Sequence, residues 1–229
     1  MHKVAILDCG AQYAKVIDRR IRELKVHSDI LPLNAPTKTL QKYDAIILSG
    51  GPAAVFGDDA PEYNPDIFKL RVPILGICYG MQLINYFFQG TVEQEKVKEY
   101  GETKITIDRD SYLFSSMDKH QQVLMSHGDT VTKVAQGFEV NALSGNIIAG
   151  IEHTKRPIYG IQFHPEVDLT VNGKQILHNF LFTIARLEPS LTTEKKIDQA
   201  ITEIKERVGK KNIISLISWA PNPARIMEI

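Results

Sequence analysis

A cysteine with glycine two positions to either side, Gly76-Ile77-Cys78-Tyr79-Gly80, is the strongest chemical signal in this chain. It follows the apolar run Val72-Pro73-Ile74-Leu75 and precedes Met81-Gln82-Leu83-Ile84-Asn85-Tyr86. Strand, sharp turn, then helix is the layout of a nucleophile elbow. The glycines allow backbone to approach backbone closely, and the positive end of the helix favours thiolate at Cys78. A nucleophilic cysteine needs a base and a group to orient that base. Gln162-Phe163-His164-Pro165-Glu166 offers both. In extended chain, residues two apart point to one face, so Glu166 can fix the His164 tautomer while His164 exchanges a proton with Cys78. Taken alone, His164 would read as a strand-end residue and Glu166 as a solvated charge; beside the elbow, a catalytic triad is the stronger reading.

The attacked group also needs donors for its developing negative charge. The Tyr79 amide follows the nucleophile at a helix N-terminus. Ser49-Gly50-Gly51-Pro52, after a strand, could supply the Gly51 amide; by itself it is a turn. Ser126-His127-Gly128-Asp129 reads as a polar cluster after a strand. Ser126 and Asp129 could hold a small polar substrate, or the cluster could be a capped turn, and the spacing does not separate the two. His127 is an alternative base with no better carboxylate partner. Cys9 lacks flanking glycines and reads as a buried inert thiol. Asp18-Arg19-Arg20 and Arg22-Glu23 read as a solvated helix face. His2, His27, His120, His153 and His178 show no metal-ligand spacing, so no metal site is expected.

These residues need strands and helices to hold them. Strands are expected at 3–8, 26–31, 44–48 and 73–77, with a helix from Gly10 carrying Tyr13, Ile17, Ile21 and Leu24, a short helix at 61–70, and the elbow helix ending near Gly90. That alternation implies an α/β fold, a mostly parallel doubly wound sheet flanked by helices. Short strands at 104–107, 122–126, 138–142, 147–152 and 157–162 imply a smaller antiparallel addition and a return into the main sheet. A helix follows at 173–187. Thr193 can cap a further helix to about Val208 with the stripe Ile197, Ile201, Ile204 and Val208; Asn212 to Ile217 could start another strand.

Bulk composition narrows the function classes. The 229 residues are 43% hydrophobic and 24% charged, with 27 basic and 27 acidic residues, so the formal net charge is zero. This gives no support for nucleic-acid or membrane partners. No apolar run is long enough to span a bilayer, and the N-terminus enters a strand without a signal-peptide pattern. Two cysteines point to free thiols in a reducing, cytoplasmic setting.

Together, Ser49-Gly50-Gly51-Pro52, Gly76 to Gln82, Ser126-His127-Gly128-Asp129 and Gln162 to Glu166 resemble the class I (triad) glutamine amidotransferases. Leu7-Asp8-Cys9-Gly10-Ala11-Gln12-Tyr13, Asp18 to Glu23 and Glu203 to Gly209 look like the glutaminase part of the GMP synthetases within that family. The resemblance implies hydrolysis of L-glutamine to glutamate and ammonia, with Cys78 as nucleophile, His164 as base, Glu166 as orienting acid, Gly51 and Tyr79 as oxyanion donors, and Gln82, Ser126 and Asp129 as glutamine contacts. It implies no cofactor for that reaction. The implied partner is an ATP pyrophosphatase (synthetase) domain, in cis or trans, which uses ATP and Mg and delivers the ammonia to XMP to make GMP in purine biosynthesis.

The expected organisation is a glutamine amidotransferase domain at 1–188, a linker helix at 189–211, and an aberrant or truncated tail at 212–229 that begins a missing synthetase domain. The resemblance calls for a Ser-Gly-Gly-Val-Asp-Ser loop there, yet Ile214 to Ser218 runs into Trp219-Ala220-Pro221-Asn222-Pro223. Such a segment cannot cradle phosphates through backbone amides, so the chain alone is not expected to bind ATP or make GMP. Two other readings remain: a catalytically silent glutamine-binding or regulatory fragment, and a thiol hydrolase of another γ-glutamyl compound.

Overall fold

A computed structural model of the chain describes residues 2–190 except Ala11, Asp58 and Arg109, together with Lys205 and Val208. The chain divides into two units, residues 1–191 and 192–229. In the second, Lys205 and Val208 are helical; the rest of the expected linker helix, and the tail with its expected strand, lie outside the described residues.

The first unit runs β1 (Lys3–Asp8), α1 (Tyr13–Glu23), β2 (His27–Pro32), α2 (Thr37–Leu40), β3 (Ala45–Leu48), β4 (Ile74–Ile77), α3 (Tyr79–Phe87), β5 (Thr91–Ile107), β6 (His120–Lys133), β7 (Phe138–Ser144), β8 (Ile147–His153), β9 (Ile158–Ile161) and α4 (Gly173–His178). Single 3-10 turns sit at Pro65–Lys69 and Tyr112–Phe114. One sheet takes all nine described strands in the order β2-β1-β3-β4-β9-β8-β7-β5-β6. The pairings β1–β2, β1–β3, β3–β4 and β4–β9 are parallel. From β9 outward every pairing is antiparallel. The antiparallel addition is thus a continuation of the parallel sheet.

The inner parallel strands β1, β3, β4 and β9 are apolar on both faces because helices cover both, whereas the edge strand β2 is half exposed. Val4, Ile6, Ala45, Ile47, Leu75 and Ile77 face one core, which they share with Ile17 and Ile21 of α1 and Ile176 and Leu177 of α4. Ala5, Leu7, Ile46, Leu48 and Ile74 face the other, with Leu40 of α2 and Met81, Leu83 and Ile84 of α3. Each valine, leucine, isoleucine or methionine among them, once fully buried, contributes about 1.5–3 kcal/mol from removal of apolar surface from water. These two cores hold the carboxyl ends of β1, β3, β4 and β9 side by side, and in such sheets ligands bind beyond those ends.

Some expectations need correcting. The segment 61–70 forms only the 3-10 turn, and the short α2 was not anticipated. The strand expected at 104–107 starts at Thr91, and the one expected at 122–126 continues to Lys133. The helix expected at 173–187 is α-helical only to His178 and then widens into π-type turns at Asn179–Ile184. At that junction the Asn179 amide donates to the Leu113 and Ser115 carbonyls, at 3.0 and 2.8 Å.

Candidate active site

The turn after β4 is sharp. Cys78 has φ 52° and ψ −107°, in the left-handed half of backbone space that a residue with a Cβ rarely adopts. The strain is fixed from both sides. The Cys78 N–H donates to the Ile161 carbonyl at 2.7 Å, and Gly76 and Gly80 let α3 fold back onto the sheet. A Cβ on Gly80 would lie 2.5 Å from the Leu48 carbonyl oxygen, and one on Gly76 would lie 2.5 Å from the Gly80 carbonyl. The thiol therefore stands at the start of α3, where the first-turn N–H groups have no carbonyl within the helix.

Three residues beyond β9, His164 approaches Cys78 from the neighbouring strand, since Ile77 and Ile161 pair in register. Its Nδ1 lies 2.8 Å from Glu166 Oε1. His164 is 1% exposed and Glu166 is fully buried. Burial works against the imidazolium, but hydrogen bonds and charge from Cys78 and Glu166 outweigh it and raise the His164 pKa to about 10. Tyr13 of α1 covers the imidazole face, ring centroids 4.4 Å apart. Gly50 leaves room on another side, where a Cβ would stand 3.0 Å from His164 Cε1. The Thr170 hydroxyl donates to the His164 carbonyl at 2.6 Å and accepts from the Leu124 N–H at 3.0 Å. The His164 N–H donates to the Leu124 carbonyl at 3.1 Å.

The turn bearing Glu166 is clamped from α1. Arg20 Nε donates to the Glu166 carbonyl at 2.8 Å, and the same guanidinium pairs with Asp168 and Glu23. Arg20 is thus no solvated face residue. Asp18 and Arg22 are partly buried too, bonded to each other and to Ser28.

A cavity of about 390 Å³ opens over Cys78 and His164. Of the residues expected at the site, Gly51, Gln82, Ser126 and Asp129 line it as well. Glu166 and Tyr79 do not line it: Glu166 stands behind His164, and Tyr79 follows Cys78 in the first turn of α3 with its ring packed in the core. Ser126 to Asp129 lie inside β6 rather than in a turn after it, and register shifts between Gln94 and Glu99 of β5 oppose them. The Cys78 thiol points its Sγ–H to the Ser126 carbonyl at 3.6 Å. Gln82 Nε2 donates to the Asp129 carbonyl at 2.7 Å and to Gln162 Oε1 at 3.2 Å. His127 lines the cavity with its Nδ1 3.1 Å from the Asp129 carbonyl oxygen. Cys9 is 2% exposed, and burial pushes its pKa up to about 12. A Cβ on Gly51 would be 2.3 Å from the Cys9 carbonyl oxygen, so Cys9 and Gly51 pack backbone to backbone beside the cavity.

Tyr13, Gln94 and Tyr100 also line the cavity, and residue types and spacing gave no role to any of them. Tyr13 fits an apolar helix stripe, and Gln94 and Tyr100 fall in a polar stretch without strand alternation. In its chemistry, the arrangement places a thiol, a buried imidazole and a buried carboxylate in sequence at the floor of a polar cavity. That set suits acyl transfer through sulfur.

The chain belongs to the class-I glutamine amidotransferase family, whose model matches residues 5–184. Within it, the chain is 46% identical to a glutamine-hydrolysing GMP synthase of Dictyostelium discoideum, over 94% of this chain and 32% of the relative. It is 44% identical to the corresponding enzyme of Carboxydothermus hydrogenoformans, over 94% of this chain and 43% of the relative. The chain thus spans between about a third and under half the length of these relatives. Among solved structures, a GMP synthase subunit from Thermoplasma acidophilum superposes with a TM-score of 0.72 at 30% identity, covering 87% of this chain and 98% of that one.

Proposed function

We propose that this chain is the glutaminase part of a GMP synthase, hydrolysing L-glutamine to glutamate and ammonia through Cys78, His164 and Glu166. The observation that carries the reading is the strained Cys78 at the start of α3, facing a His164 whose other nitrogen is held 2.8 Å from buried Glu166.

The Cys78 thiol passes its proton to His164, and the sulfur attacks the carboxamide carbon of glutamine. The oxygen that becomes negative takes hydrogen bonds from the Gly51 and Tyr79 amides. The His164 imidazolium gives its proton to the leaving nitrogen, the C–N bond breaks, and ammonia departs from a thioester. His164, now neutral, takes a proton from water as that water attacks the thioester, and glutamate leaves with Cys78 regenerated. Glu166 holds the imidazole in orientation through its contact with Nδ1. Gln82, Ser126 and Asp129 border the space in which the amino-acid end of glutamine would lie. The roughly 390 Å³ of the cavity suits one small ligand.

No step requires a cofactor. The ammonia is destined for a synthetase domain, in cis or trans, that aminates XMP with ATP and Mg. The names of the relatives support that destination, as does the resemblance of the first helix and its preceding turn. A cytoplasmic setting fits two unpaired cysteines and a chain with no described helix long and apolar enough to cross a membrane.

The test is glutamate release from glutamine by the purified chain. Cys78→Ser is expected to abolish it, and His164→Asn to lower kcat by about 10²–10⁴-fold. Full activity in Cys78→Ser would remove the proposal. Faster turnover of another γ-glutamyl compound would reassign the substrate.

A further inference from the structure

Gln162 is fully buried, touches the sulfur of Cys78, and has no part in the steps above. It follows β9 as Cys78 follows β4, and the register of Ile77 with Ile161 sets the two side by side. Its Nε2 lies 3.6 Å from Cys78 Sγ. Its other amide atom, Oε1, accepts from Gln82 Nε2 at 3.2 Å.

Which end of the Gln162 amide faces the sulfur follows from a fixed reference. The Asp129 backbone carbonyl can only accept, so the Gln82 atom 2.7 Å from it is the NH₂ group. That NH₂ has two hydrogens, and the second must find an acceptor. It finds Gln162 Oε1, which leaves the Gln162 NH₂ for Cys78. A reversed Gln162 amide would set donor against donor at Gln82 and an oxygen against the sulfur. The chain Asp129 carbonyl, Gln82, Gln162, Cys78 therefore aims an N–H at the nucleophile. The thiol's own donation to the Ser126 carbonyl ends once the proton leaves, whereas a donor at sulfur becomes stronger as negative charge grows there.

We propose that Gln162 is a catalytic hydrogen-bond donor to the Cys78 thiolate and that Gln82 is the positioning residue that keeps its amide in the donating orientation. This rests on Cys78 being the nucleophile. It gives Gln82 a second task beside its place at the cavity wall. Among the described residues, the other titratable groups around the sulfur and its cavity are His164 with Glu166 beyond β9, Cys9 after β1, His127 and Asp129 on β6, Tyr100 on β5, and Tyr13 on α1. All of them stay in place when only Gln162 or Gln82 is replaced.

The experiment is alkylation of Cys78 by iodoacetamide, followed across pH by peptide mass, in the wild-type chain and in Gln162→Met, Gln162→Glu and Gln82→Met. In Gln162→Met the pH of half-maximal alkylation is expected to rise by about one unit, the tenfold that a hydrogen bond to a charged group is worth. Gln162→Glu, which sets a carboxylate against the sulfur, should move it further. Gln82→Met should move it in the same direction by less, because the Gln162 amide is then free to turn. Glutaminase kcat at neutral pH should fall by roughly tenfold in Gln162→Met and recover as pH rises. A role in packing alone would lower kcat without that recovery. An unmoved alkylation midpoint in a folded Gln162 variant overturns the proposal. Gln82→Met leaves Gln162 in place, and an unmoved midpoint there overturns it equally if the Gln162 variants do not fold. Alkylation needs no glutamine turnover, so a wild type that alkylates in this pattern yet releases no glutamate would overturn the glutaminase reading alone.

Discussion

In the proposed mechanism Cys78 and His164 form the reacting pair, and the charge on His164 also carries part of the stability. Folding moves His164 from an ordinary pKa of 6.5 to about 10, burial opposing the shift and Cys78 and Glu166 driving it. The folded state thus favours the imidazolium. Its contribution to stability is fully present below pH 6.5 and is lost as pH rises through about 10. The melting temperature is therefore expected to decline over that window. Cys78→Ser should flatten the decline, because Cys78 supplies part of the upward shift. Differential scanning calorimetry from about pH 6 to about pH 10.5 checks this, and an equal slope in both proteins would contradict it. At the same scale, Arg20 holds the backbone that carries Glu166. Arg20→Ala is expected to lower kcat by about tenfold with KM little changed, since the clamp touches the acid's turn and not the cavity. Arg20→Lys should not restore it fully, because a single ammonium cannot reproduce the fork to the Glu166 carbonyl, Asp168 and Glu23. Steady-state kinetics of the two variants decide this.

The elements act chiefly by letting backbones meet. Gly80 brings α3 against the end of β3, and a Cβ there would lie 2.5 Å from the Leu48 carbonyl oxygen and 2.7 Å from Leu48 Cβ. Gly80→Ala is expected to cost about 1–3 kcal/mol or more and to open the elbow. The check is a fall in the denaturation midpoint together with lost glutaminase activity. What was legible beforehand follows the same physics. β1, β3 and β4 show in the sequence because they are buried on both faces, α3 because its first two turns are buried all round, and the glycines around Cys78 mark a turn that few other residues permit. The full length of β5 and β6 is hidden in the sequence for two reasons: β5 has solvated positions, and the buried positions of β6 include polar residues such as Gln121, His127 and Thr130. Glu93 and Gln94 are exposed, and Tyr100 is 68% exposed, so no apolar alternation marks the strand. The hidden length of β6 put Ser126 to Asp129 after a strand instead of within one. Arg20 and Tyr13 escaped for another reason. Their partners Glu166 and His164 lie far along the chain, Glu166 being 146 residues from Arg20, and helical spacing carries no information about them.

In the whole molecule, four parallel strand ends converge on Cys78 while the antiparallel half of the sheet supplies one cavity wall. The chain matches only part of the length of its relatives, and a separate synthetase domain is the proposed user of the ammonia. Adding that domain with ATP and XMP is expected to raise glutamate release by this chain severalfold. Unchanged release would indicate a glutaminase that runs uncoupled. The most direct measurement is intact-mass and peptide mapping after incubation with a glutamine analogue bearing an electrophilic ketone in place of the carboxamide. The expected result is one adduct per chain on Cys78, suppressed by excess glutamine and absent in Cys78→Ser. An adduct on Cys9 instead, or labelling of Cys78 that glutamine does not slow, would contradict glutamine hydrolysis at this site.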